Sequence, residues 1–208
     1  YGVVDLVAHC LEAWFGEGEA TLSDRFTAAI IREALEYGPA LMNDMRNLEL
    51  RSKIMWAATN ALNNMTIYGR SSPDWGVHLL AHTLSVLYDI AHGATLSIIY
   101  PAWMKAMRNR ASNRIAQLGQ DLFGNASVDA TIAGVEDFFA NLGSPIRCQD
   151  VGIEASCKQT ILNLMDENQA SGLNYKLSKA ERQEILDYAF AEKEHRSAAE
   201  SSFYAEVV

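Results

Sequence analysis

Proline is scarce, four in 208 residues, and with 49% hydrophobic residues this excludes a disordered chain. Cysteine is scarcer still. Cys10, Cys148 and Cys157 are odd in number and form no CxxC pair, which excludes a disulfide framework and fits a reducing compartment, the cytoplasm. No apolar run approaches the roughly 20 residues needed to cross a bilayer, and no basic stretch precedes an apolar one at the start, so no membrane partner is expected. Positive charge is in deficit: 17 Lys plus Arg against 26 Asp plus Glu leave a net charge of −9 at pH 7. The basic cluster from Lys105 to Arg114 is short, and no nucleic-acid partner is expected either. The glycine pattern nearest to a nucleotide loop, Gly16-x-Gly18, follows an apolar helix rather than a strand and lacks a third glycine, so it reads as a turn. The chain opens at Tyr1 without a Met and runs straight into patterned sequence, from which we expect an N-terminal part of a longer protein to precede it.

What is present is helix-forming sequence. Ala, Leu, Met, Glu, Gln and Arg dominate, and apolar residues recur at three- and four-residue steps, which predicts an all-α, multi-helical fold. Val3 to Phe15 reads as an apolar helix closed by Gly16. Leu22 to about Tyr37 carries a stripe of Phe26, Ile30, Ile31, Ala34 and Leu35, ended by Gly38-Pro39 because Pro disfavours helical geometry in the residue before it. A short helix over Ala40 to Met45 and a longer one from Leu48 to about Thr66 come next. Ser72 then reads as the N-cap, and Pro73 as the first residue, of a helix running to about Ala91. Another helix follows from Gly93 to about Arg108, with Pro101 inside it. Shorter helices are expected over Ser112 to Phe123, Val128 to Leu142, Glu154 to Met165 and Ser178 to about Phe190. Residues 1–190 would form one helical domain, and residues 191–208, polar and aperiodic, a mobile tail.

The chain has five histidines, and four of them, His9, His78, His82 and His92, carry the chemistry. Asp5 and His9 lie four residues apart, on one face of the first helix and near enough to share an ion. His78, His82 and His92 fall within otherwise apolar sequence, where an unpaired imidazole is costly to bury. HxxxH is a common helical zinc pair, so bare spacing nominates both His78 and His82. His78 and His92 would stand about 21 Å apart in an unbroken helix at 1.5 Å per residue, so they can share an ion only if the chain turns between them. Gly93 would permit that turn. One Asp with two or three imidazoles makes a mixed O/N site for a borderline divalent ion such as Fe²⁺ or Zn²⁺, and the lack of thiolates argues against a structural zinc finger. Cys10, about 100° round the helix from His9, reads as a small core residue.

Asp5-xxx-His9-xx-Glu12, then His78-xxx-His82-Thr-Leu, His92-Gly93-Ala94 and Pro101, closely resemble the iron-containing alcohol dehydrogenase family, in particular its butanol dehydrogenase and aldehyde reductase branch. The resemblance runs to about Phe190 and includes Trp56-Ala-Ala-Thr59-Asn60, Tyr100-Pro101-Ala-Trp103-Met104 and Gly172-Leu-Asn-Tyr. It implies an N-terminal α/β domain for NAD or NADP, a C-terminal helical domain for a divalent metal, and an active site in the cleft between them. This chain resembles the second domain alone. By the same resemblance Asp5, His9, His78 and His92 would be metal ligands, and His82 a non-ligand facing substrate and nicotinamide. The substrate would be a small primary alcohol or aldehyde, the full-length enzyme a homodimer, and this half by itself inactive. Glycerol dehydrogenases and dehydroquinate synthases share the two-domain plan, and a helical metal- or partner-binding module without activity is the alternative from another class.

Overall fold

A computed structural model describes residues 1–192, and among these it contains nine α-helices and no β-strand. Two of the helices are apolar almost all round. α1 (Gly2–Trp14) buries Val3, Val4, Leu6, Val7, Ala8, Cys10 and Leu11, and α5 (His92–Ala106) buries every residue from Gly93 to Met104. Helices of that kind can only sit inside a core, and these two pack on each other at its centre. α2 (Thr21–Asn43) and α3 (Leu48–Leu62) cover α1; α4 (Gly76–Tyr88), α7 (Val128–Asn141) and α9 (Lys179–Ala189) cover α5. α6 (Ser112–Phe123) joins α7 to α2, and α8 (Lys158–Glu167) closes the far side against α4 and α9. Phe15, Trp103 and Tyr175 meet edge to face in the interior, with centroids 4.9 and 5.5 Å apart along the chain of contacts.

Two buried acids pin the shell. Asp24 on α2 accepts from Arg70 and, at 2.7 Å, from Arg114 of α6. Glu136 on α7 lies 2.7 Å from Lys105 of α5 and 2.8 Å from Arg147. No described helix is long and apolar enough to cross a membrane. The expected tail falls, from residue 193 onward, outside the described residues.

Several boundaries differ from those expected. α2 does not stop at Gly38-Pro39; Pro39 lies inside it. The clash that ends helices before Pro involves the preceding Cβ, which Gly38 lacks, and Gly38 is held close to Val3, Leu142 and Phe138. The helix carrying His78 starts at Gly76, not at Pro73. Residues 71–74 are tied instead to the end of α1 and the turn after it: Ser71 N–H donates to the Glu17 carbonyl, Glu17 N–H to the Ser72 carbonyl, and Asp74 N–H to the Glu12 carbonyl. That helix ends at Tyr88, and the reversal falls at Asp89, which takes the left-handed conformation at φ 52°. Gly93 is therefore the second residue of α5 rather than the turn. Lastly, residues 155–157 form a 3₁₀ turn, and α8 begins only at Lys158.

Candidate metal centre

Asp5, His9 and Glu12 occupy successive turns of α1 on the face that meets α4. From α4 comes His78, and the reversal at Asp89 brings back His92 at the first position of α5. One oxygen of Asp5, Oδ1, is 3.9 Å from Nε2 of His78 and 3.9 Å from Nε2 of His92. Its other oxygen is 3.7 Å from Nε2 of His9. Ligand atoms of Asp5, His78 and His92 all lie within 4.8 Å of one another. His9 adjoins this trio, its ring centroid 4.4 Å from that of His78. His82 is exposed and stands outside the trio, its ring stacked on His92 at 4.2 Å and 3°.

These separations are too long for hydrogen bonds. Two atoms each about 2.1 Å from a shared ion, by contrast, can be up to about 4.2 Å apart. Burial pushes the His78 imidazole down to about 4 against the pull of Asp5. His92 is likewise held at about 4, by burial first and then by His82 and His78. Burial also lowers His9. All three rings are therefore neutral at pH 7, their contacts with Asp5 are not ion pairs, and their lone pairs are free to ligate. Asp5 Oδ1 and His78 Nε2 are buried without a hydrogen-bond partner. Buried polar atoms with nothing to bond are rare and costly, so this donor set fits a cation.

Three neighbours were not predicted as part of the site. Glu12 is buried, and its Oε1 is 2.8 Å from Nδ1 of His78. Burial raises its carboxyl to about 8, against the backbone amides of His78, Trp75 and Val77. Trp75, left-handed at φ 62°, sets its ring edge against His9 at 5.7 Å and His78 at 5.4 Å. Asp74, raised to about 6 chiefly by burial, accepts from the main-chain N–H of Asn174 at 2.9 Å and of Tyr175 at 2.6 Å, fastening residues 172–175 beside α4. Gly172 lies so close to that carboxylate that a Cβ would stand 2.1 Å from Oδ2. Glu12 stood in the motif without a role, and Asp74 was hidden by the reading of Ser72-Pro73 as a helix start.

The described residues thus form a helical core with an Asp/His₃ constellation at its rim. Residues 1–190 match the sequence model described as Fe-containing alcohol dehydrogenase family, C-terminal, and the chain belongs to that family. It is 32% identical over 195 residues to the probable NADH-dependent butanol dehydrogenase 1 of Bacillus subtilis, a match covering 89% of this chain and 50% of that protein. To the NADPH-dependent aldehyde reductase YqhD of Escherichia coli it is 31% identical over 175 residues, covering 80% and 45%. The solved structure of NADH-dependent butanol dehydrogenase A from Thermotoga maritima superposes with a TM-score of 0.84 at 28% identity, covering 91% of this chain and 51% of the other. The chain thus spans about half the length of the curated relatives it matches.

Proposed function

We propose that this chain is the metal-holding half of an NAD(P)-dependent alcohol dehydrogenase or aldehyde reductase that interconverts small primary alcohols and aldehydes. The observation that carries the reading is the convergence of Asp5, His78 and His92 on one point. Family membership and the printed activities of the relatives support it. Asp5, His9, His78 and His92 are the proposed ligands, and one carboxylate with three neutral imidazoles suits Fe²⁺ or Zn²⁺. When bound, the ion supplies Lewis acidity that offsets negative charge developing on the substrate oxygen. NAD or NADP, held mainly by an N-terminal half, supplies the hydride chemistry.

The remaining work falls to this chain's own side chains. Trp75 walls off His9 and His78 on one side and limits water there. His82, exposed and stacked on His92, is placed to move a proton between the substrate oxygen and solvent, a task imidazole side chains often perform. The full-length enzyme would be a homodimer in the cytoplasm, and the free thiols of Cys10, Cys148 and Cys157 support a reducing compartment.

A fusion tests the reading. Joined to the nucleotide-binding half of a butanol dehydrogenase relative, the chain should reduce butyraldehyde with NADH or NADPH, whereas the 208 residues alone should not. Turnover by the chain alone would overturn the division of labour. In the active fusion, His82→Gln should slow turnover and alter its pH profile while leaving bound metal unchanged.

A further inference from the structure

We propose that Glu12 is a positioning residue that fixes the tautomer of the His78 ring, so that the Nε2 lone pair faces the metal site; this rests on the ligand assignment made above. Glu12 is 1% exposed. Its Oε1 accepts from the main-chain N–H of His78 at 3.0 Å and lies 2.8 Å from Nδ1 of the same residue. A distance of 2.8 Å is that of a hydrogen bond, and because Oε1 already accepts from the main-chain N–H of His78 it is the acceptor here too, whether or not the other oxygen, Oε2, holds a proton. At the other end of the ring, Nε2 stands 3.9 Å from Asp5 Oδ1, and neither atom has a hydrogen-bond partner. The open gap at one end and the tight contact at the other agree on a single tautomer, with the proton on Nδ1 and the lone pair on Nε2.

The same oxygen does a second job. α4 begins without a side-chain cap of its own, because its N-cap is Trp75. The third amide of a helix ordinarily takes its acceptor from the N-cap side chain; here that amide belongs to His78, and the acceptor arrives from α1. Fixing α4 against α1 and fixing the His78 ring are therefore one interaction. Among the described residues no comparable restraint acts on the other two rings, since Nδ1 of His9 and Nδ1 of His92 have no hydrogen-bond partner there. Carboxylates placed behind metal-binding imidazoles orient the ring and raise its basicity, and their loss typically weakens metal binding roughly 10–100-fold.

The experiment uses the full chain, stripped of metal and ¹⁵N-labelled. Long-range ¹H–¹⁵N correlation should show His78 as the Nδ1–H tautomer. Zn²⁺ affinity is then measured by competition with a chromophoric chelator. Glu12→Ala should mix the His78 tautomers and weaken Zn²⁺ binding roughly 10–100-fold. Glu12→Gln, whose amide oxygen can still accept from both donors, should keep the tautomer and most of the affinity. An Nε2–H tautomer in the unsubstituted chain overturns the proposal, and that measurement needs no variant to fold. Unchanged Zn²⁺ affinity in Glu12→Ala overturns it as well. If His78→Ala binds Zn²⁺ as tightly as the parent, the ligand assignment itself falls; if His78→Ala loses the ion while Glu12→Ala keeps it, only the role of Glu12 falls.

Discussion

Gly93 packs directly on Tyr1, so that a Cβ built on it would stand 2.6 Å from the Tyr1 carbonyl oxygen. That oxygen accepts the main-chain N–H of Asp5. The start of α5 is thereby set against the start of α1, and His92 against Asp5. Gly93→Ala should push the two helix ends apart, costing about 1–3 kcal/mol by overpacking and lowering metal content together with stability. Urea unfolding and elemental analysis on one preparation check this; full stability with full metal content would show that the close approach is not needed.

Removal of single side chains separates ligands from neighbours. His78→Ala and His92→Ala should each deplete bound metal far more than His82→Ala, because His82 is stacked outside the cluster on His92. Metal per chain after dialysis is the readout. Equal losses for His82→Ala and His78→Ala would restore the plain HxxxH pair that spacing alone nominates.

Asp24 gives a pH prediction remote from the metal. Burial pushes its carboxyl up, but Arg114 and Arg70 outweigh burial and hold it below the ordinary carboxylate range. A carboxyl depressed in the folded state binds its proton more readily when unfolded. Its stabilisation is therefore present above the unfolded value, about 3.9, and is lost as pH falls from there through the folded value. Asp24→Asn should flatten this acid limb and, by leaving Arg70 unpaired at 1% exposure, cost about 3–5 kcal/mol at neutral pH. Denaturant midpoints collected from pH 2.5 to 7 decide it: parallel curves for parent and variant would mean that Asp24 does not carry the acid transition.

Where local signals and packing agree, the sequence could be read to the residue. α6 runs from Ser112 to Phe123 as its pattern predicts and is stopped by Gly124 in the left-handed conformation. Where a distant segment decides, it could not. Nothing local to Ser72-Pro73 says that its backbone will bond to Glu17. The centre divides in the same way. Asp5 and His9 share a helical face by spacing, while His78 and His92 were singled out by their apolar surroundings and by family resemblance. Glu12 escaped because its partner is an amide 66 residues away, at the start of a helix whose first residue had been misplaced.

Because the proposed ligands come from three helices, the ion should act as a cross-link among α1, α4 and α5. An unfolded chain presents no such preformed site, so binding free energy becomes folding free energy. Mass action sets the gain: about 2.7 kcal/mol when free ion is at 100 times its dissociation constant. For a domain of this size, 1 kcal/mol moves the melting temperature by about 2–4 °C, which predicts a rise of about 5–10 °C on adding Zn²⁺ or Fe²⁺ to chelator-treated protein and an equal fall on adding the chelator back. Measuring in parallel on His78→Ala removes the ambiguity of nonspecific binding, since that variant should lose the metal-dependent part of the shift while keeping most of its own stability. A parent chain whose melting temperature ignores both metal and chelator would mean that Asp5, His9, His78 and His92 converge without holding an ion, and the neutral imidazoles around Asp5 would then have to be explained by packing alone.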